Sequence, residues 1–307
     1  MLWAITSYFN PARYNSRLAN FRTFRKHLGV PLLAIELSFD GSFELQALDA
    51  DLLLQFAGRD VLWHKERLLN VAVRSLPPDC DEVAWIDCDL IFDTDDWPAR
   101  TRDALKDFAM VQLFVDRCNL KRGARLDSPS DASFDSVAQS IGYKIATGRA
   151  EPDDLRVAGA SAVRFMTLGL AWAARRRLLE EHGLYDACIV GHGDRAVICA
   201  AIGKFEYCEM ALHMNSRQVE HYRAWAIPFF AAVGSKVGYI EHRALHLWHG
   251  DFKDRRYAQR HQDFRKFAFD PFVDIAPDGN GVWRWNTSKY EMHDYVRNYF
   301  ESRNEDG

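Results

Sequence analysis

Apolar residues in the first half of the chain fall alternately into short continuous runs and helically spaced sets. Leu2 to Phe9 is an apolar run closed by Asn10-Pro11, which predicts a first β-strand. Leu18, Phe21, Arg25 and Leu28 follow at helical spacing, and Gly29 stands where a helix would stop. Leu32-Leu33-Ala34-Ile35 predicts a second strand ending at Glu36, and Leu52 to Phe56 a third before Gly58. The next helix has the most regular pattern. Leu68, Leu69, Ala72, Val73 and Leu76 share one face, and Pro77-Pro78 ends the element. Val83-Ala84-Trp85-Ile86 is then a strand running into Asp87-Cys88-Asp89. A helix from about Pro98 to Lys106 and a strand from Phe108 to Val115 continue the alternation. Such an order predicts an α/β fold, a mostly parallel sheet covered by helices on both faces.

The pattern fades from Lys121 to Asp154, where Asp127 to Ser133 is polar and turn-rich and is expected to form a flexible loop over the site. Order returns with Leu168-Gly169-Leu170-Ala171-Trp172-Ala173 and a helix from Arg175 to His182. A glycine-punctuated segment from Ile189 to Arg195 leads into a helix ending near Ile202. A helix near Gln218 to Ala232, a strand from Val237 to Ile240 and a histidine-rich stretch from His242 to His249 follow. The aromatic-rich tail beyond Asp270 is expected to wrap the body. With no repeat and no linker, the chain reads as two abutting lobes sharing one sheet, residues 1–120 and residues 121–307, the second with a C-terminal helical extension.

The 307 residues are enough for a substantial core, and 48% hydrophobic with 27% charged is the balance of a water-soluble globular chain. A net charge of -4 leaves no excess of cations to neutralise a nucleic-acid backbone, so nucleic acid is excluded as a general partner. No apolar stretch approaches the ~20 residues that span a bilayer. The six cysteines form no C-x-x-C pair and most sit in apolar runs, so they are read as reduced and the protein as cytoplasmic.

Three groups carry candidate chemistry. In open sheets of this kind, ligands bind beyond the carboxyl ends of the strands, where Asp87 and Asp89 stand. Two carboxylates so placed are costly without a cation, and a divalent metal removes that cost. The bland alternative is a solvated acidic loop start, which the flanking apolar residues disfavour. Second, His246-Leu247-Trp248-His249-Gly250 offers imidazoles that, with a carboxylate, suit Mn²⁺ better than Mg²⁺. Either histidine could be a ligand or a satisfied core residue. Third, in Gly191-His192-Gly193-Asp194 two glycines permit close backbone approach, and Asp194 is either a general base or simply a helix N-cap.

Together these motifs resemble GT-A-fold glycosyltransferases. Trp85-Ile86-Asp87-Cys88-Asp89-Leu90-Ile91-Phe92, preceded by Lys65 to Asn70, is similar to their D-x-D donor half. Gly169 to Ala173, Gly183-Leu184-Tyr185-Asp186 and Gly191 to Arg195 are similar to the acceptor half of the galactosyltransferase-like branch. That branch has two consecutive acids where this chain has Asp194-Arg195. The resemblance implies transfer of a sugar from a nucleoside-diphosphate donor, UDP-linked, to a carbohydrate or other hydroxyl acceptor, with inversion. It places Thr6, Tyr8 and Glu36 at the base and ribose, and Lys65, Arg67, Asn70 and Asp87 at the donor. Asp89, with Asp87 and His246 or His249, takes the metal, Mn²⁺ or Mg²⁺, and Asp194 the role of base. Trp172, Trp248, Trp283 and Trp285 are either sugar platforms or core. The competing readings are a haloacid-dehalogenase-like phosphotransferase or phosphohydrolase, which wants its D-x-D on the first strand, and a non-catalytic carbohydrate-binding protein of the same fold.

Overall fold

A computed structural model describes residues 1–124, 134–156 and 166–307, so the expected loop at Asp127 to Ser133 lies outside the described residues. The N-terminal half runs β1 (Leu2–Phe9), α1 (Asn15–His27), β2 (Leu32–Ser38), β3 (Leu52–Ala57), α2 (Lys65–Ser75), β4 (Glu82–Ile86), β5 (Leu90–Phe92), α3 (Trp97–Ala104), β6 (Met110–Gln112) and β7 (Asp116–Leu120). Then come β8 (Phe134–Ser140), α4 (Ile141–Ala146), α5 (Pro152–Arg156), β9 (Met166–Thr167), β10 (Ala171–Arg175), α6 (Arg176–His182), α7 (Gly193–Ala201), α8 (Phe205–Ala211) and α9 (Ser216–Val233). The chain ends with β11 (Val237–Tyr239), β12 (Arg243–His246), α10 (Gln259–Phe264), a short hairpin and α11 (Tyr290–Glu301).

Seven strands form one sheet in the order β11-β6-β10-β4-β1-β2-β3. It is parallel throughout except at β10, which runs antiparallel to both β4 and β6. The α/β class with a mostly parallel mixed sheet is therefore as the alternation predicts. The period-two geometry of β1 sends Trp3 and Ile5 to one core layer and Leu2 and Ala4 to the other. Helices cover both layers, and this explains why the strands read as continuous apolar runs. Trp97 shows the packing: it stacks on Phe92 at 4.7 Å and donates its indole N–H to Leu28 O at 3.1 Å. Burial of such a ring stabilises by roughly 1.5–3 kcal/mol.

Two departures from the sequence pattern matter for the site. The expected strand Phe108 to Val115 shortens to β6 in the large sheet, and β7, a strand just beyond it that the pattern did not predict, joins a second sheet ordered β5-β12-β7-β8-β9. β8 arises where the pattern faded because only its C-terminal end is buried, and a half-exposed strand leaves little apolar signal. The second sheet binds β5, which follows Asp89 at once, antiparallel to β12, with His246 opposite Leu90.

His64, just before α2, is fully buried. Its Nε2 donates to Asp60 O at 3.1 Å, and its Nδ1 has no partner among the described residues. A proton added at Nδ1 would have no acceptor, and burial lowers the imidazole from 6.5 to about 4. The folded protein thus binds this proton less readily than the unfolded chain. The associated stability is complete above pH 6.5 and is lost as pH falls through about 4. The loss amounts to at most about 3 kcal/mol. His64→Gln, which keeps a donor for Asp60 O, is expected to flatten the fall in urea-unfolding free energy over that window. An unchanged slope would refute this role.

Candidate functional site

Beyond the carboxyl end of β4 the chain leaves the sheet. Asp87 N donates to Leu170 O at 2.7 Å, and Leu247 N donates to Asp89 O at 2.8 Å. These two bonds fix the triplet between the β10 approach and β12. Asp87 and Asp89 then line a cavity of about 190 Å³, together with Lys65, Asp194, His246 and His249.

The β5–β12 pairing brings Asp89 to the histidines. Ligand atoms of Asp89, His246 and His249 lie within 4.8 Å of one another. His249 Nε2 is 3.1 Å from Asp89 Oδ2 and 3.1 Å from His246 Nε2. Asp89 Oδ1 is buried and has no hydrogen-bond partner among the described residues, the signature of an acceptor built for something other than protein. A cation fits this donor set. Burial, followed by the Arg117 and Arg255 charges, holds His246 well below its usual range. Burial and Arg255 bring His249 to about 4, so both imidazoles are neutral at pH 7.

The two histidines differ in what holds them. His246 Nδ1 lies 2.9 Å from Asn119 Oδ1, an acceptor only, so the proton sits on Nδ1 and Nε2 faces the site bare. Asn119 reaches it because β7 and β12 pair with Asn119 opposite His246. His249 Nδ1 instead accepts from Arg255 Nη2 at 2.8 Å, which assigns its proton to Nε2.

The second cluster centres on Lys65, whose Nζ lies 2.7 Å from Asp87 Oδ1 and 3.1 Å from Asp194 Oδ2. Burial opposes the ammonium charge, but Asp194 and Asp87 more than offset it, and Lys65 is held well above its ordinary value. Glu66 beside it is buried with Oε1 unpartnered among the described residues; burial raises its carboxyl, so it is protonated more readily than a free one. Asp194 is not the cap of α7. That position belongs to His192, in a left-handed conformation, and the Asp194 side chain enters the cavity from the first turn.

Glycines clear the space for these acids. A Cβ at Gly193 would stand 2.2 Å from Glu66 Cδ, and one at Gly169 would stand 2.2 Å from Asp194 Oδ2. Gly169→Ala must therefore push Asp194 away from Lys65. A cost of about 1–3 kcal/mol in urea unfolding is expected. Wild-type stability in the variant would show that Asp194 is not packed against residue 169.

The structure does not bring all the expected residues here. Thr6 is buried and donates to Ile86 O at 2.7 Å, tying β1 to β4. Tyr8 donates to Glu44, and Glu36 accepts from Leu45 N at 3.2 Å and Gln55 Nε2 at 2.8 Å; both line a separate hollow of about 110 Å³. Arg67 faces away, stacked on Trp283 at 4.2 Å and paired with Asp186 at 3.2 Å. Asn70 is consumed by Leu184, accepting from its N at 2.7 Å and donating to its O at 2.9 Å. These two hold α2 to the turn before α7, since residues on one helix must divide between its faces. Trp172 is core, Trp285 stacks on His293 at 4.2 Å, and Trp248 lines an adjoining groove. Trp63 and six arginines, among them Arg255, Arg260 and Arg303, line the cavity although nothing in their local sequence marks them. All six cysteines are free. Among the described residues no helix is long and apolar enough to cross a membrane.

No protein-family model and no curated protein matches the chain. Solved structures similar to it include TarS of S. aureus in complex with UDP, at 9% identity over 88% of this chain and 72% of that one, TM-score 0.37. Another is glucosyl-3-phosphoglycerate synthase from Mycobacterium tuberculosis in complex with Mn²⁺, UDP and phosphoglyceric acid, at 16% identity over 58% and 57% of the two chains, TM-score 0.28. A third is 4-diphosphocytidyl-2C-methyl-D-erythritol synthase from Anaerococcus prevotii, at 8% identity over 78% and 88%, TM-score 0.33.

Proposed function

We propose that the protein is a metal-dependent glycosyltransferase that moves a sugar from a nucleoside-diphosphate donor to a hydroxyl acceptor with inversion. The observation that supports it most is the meeting of Asp89, His246 and His249 in the wall of a cavity that Asp194 also enters. A carboxylate with two neutral imidazoles suits Mn²⁺. Asp89 and His246 would hold the ion; His249 Nε2 faces the same point but carries the proton while Arg255 occupies Nδ1, so it would become a third ligand only in the other tautomer. When bound, a divalent ion neutralises the diphosphate leaving group as the sugar carbon departs.

The protein's own groups do the rest. Lys65 spans Asp87 and Asp194 and keeps both acids in place. Asp194 takes the proton from the acceptor hydroxyl; a base acting opposite the leaving group gives inversion at the anomeric carbon. Its entry into the cavity also weighs against a non-catalytic binding protein. The D-x-D stands after the fourth strand in chain order, and this weighs against the dehalogenase-like phosphotransferase. The test is a thermal titration with UDP and other nucleoside diphosphates, with and without Mn²⁺. Metal-dependent stabilisation by at least one is expected, and stabilisation by none refutes the reading.

A further inference from the structure

The cavity lined by Asp87, Asp89 and Asp194 is also lined by more cationic side chains than carboxylates among the described residues. Arg17 and Arg303 share Glu305, at 2.6 and 2.5 Å. Arg255 and Arg260 are only 7% and 3% exposed, yet among the described residues neither has a carboxylate at ion-pair distance. A buried cation without a carboxylate partner is expensive; the rings of Trp63, Tyr257 and Tyr299, 5.9, 5.3 and 4.9 Å from the Arg260 guanidinium, offset part of that cost, and an anion from outside would offset the rest.

Both guanidiniums are held by neutral acceptors. Arg255 donates to His249 Nδ1 at 2.8 Å and His249 O at 2.7 Å, on the metal side of the cavity. Arg260 donates to Tyr299 Oη and, at 2.8 Å, to Nδ1 of His192, two residues before Asp194. A weak third contact runs to Arg255 O at 3.5 Å. Two of its five N–H groups therefore remain, and its Nε is buried without a partner among the described residues. His192 and its neighbour His261, 2.7 Å away, are held neutral by burial and by Arg260 itself. The backbone is shaped to this arginine: at Gly191, φ +90°, a Cβ would stand 2.9 Å from Arg260 Nη2. The turn that presents Asp194 is thus built around Arg260.

We propose that Arg260 anchors an anionic group carried by the acceptor, so that the hydroxyl glycosylated belongs to a phosphate- or carboxylate-bearing molecule. The proposal rests on the transferase reading, which places the donor at the metal and the acceptor at Asp194. A guanidinium with N–H groups to spare recognises either oxyanion through charge-assisted bonds.

The test uses the whole protein saturated with Mn²⁺ and UDP, so that the donor side is filled, titrated calorimetrically with inorganic phosphate and separately with acetate. Saturable binding of at least one is expected, and which one binds distinguishes a phosphorylated from a carboxylated acceptor. Arg260→Gln should weaken it about 10-fold or more, and Arg260→Lys, which keeps the charge but loses the fork, by roughly 3-fold. UDP affinity should stay within about 2-fold in both variants, a change below ~0.5 kcal/mol. Binding of neither anion overturns the proposal, as does unchanged anion affinity in both variants. An equal loss of UDP affinity also overturns it, because Arg260 would then belong to the donor. Should UDP and Mn²⁺ fail to bind the wild type, the transferase reading falls by itself. Phosphate titration of the protein alone, wild type against the Lys variant, then decides whether Arg260 holds an anion.

Discussion

Asp89→Ala is expected to abolish the Mn²⁺-dependent stabilisation of the protein by UDP. Asp89 is the residue through which both histidines meet, and its Oδ1 has no competing partner among the described residues. Loss of an outer-shell partner of a metal ligand typically costs 10–100-fold in affinity, and loss of the carboxylate itself should cost on the order of 100-fold or more. At ligand concentrations of about 100 Kd the wild type gains roughly 2.7 kcal/mol. For a chain of this size that is on the order of 5 °C in Tm. The histidines should rank in a definite order. His246→Ala should lose nearly as much as Asp89→Ala, because Asn119 already holds its Nε2 bare. His249→Ala should lose less, because Arg255 occupies its Nδ1. Calorimetric Mn²⁺ titration of the three variants checks this. Equal metal affinity in Asp89→Ala and wild type would remove the metal centre from the proposal.

Asp194→Asn is expected to leave donor binding intact and to lower transfer by about 10²–10⁴-fold, the usual contribution of a general base. The amide keeps the shape that Gly169 accommodates, so the loss would report the missing proton acceptor rather than a displaced turn. Lys65 retains Asp87 at 2.7 Å as a partner, which limits disturbance of the donor side. The discriminating measurement is kcat beside KM for the donor in the same preparation. A fall in kcat with KM unchanged supports the base. Turnover within a few-fold of wild type would mean that Asp194 only positions Lys65.

The sequence by itself determined the layers. Continuous apolar runs such as Leu32 to Ile35 and the single apolar face of Lys65 to Ser75 belong to strands and helices buried in a sheet covered on both sides. Those patterns are local, and period and punctuation record them residue by residue. The same reasoning placed Asp87 and Asp89 beyond a strand end and singled out His246, His249 and Asp194, because their residue types carry the chemistry. It could not assign which face of α2 looks inward, so Lys65 reached the cavity while Arg67 and Asn70 turned to Asp186 and Leu184. It also gave no sign of Arg255, Arg260 and Arg303, since an arginine's surroundings are not written in its neighbours. Only tertiary structure decided these points. The pairing of β5 with β12 carries His246 to Asp89 across some 157 positions, from 89 to 246. The C-terminal tail returns to bury Glu305 between Arg17 and Arg303. Long-range contacts of this kind depend on how strands register and how a tail folds back, and no short window of residues encodes either.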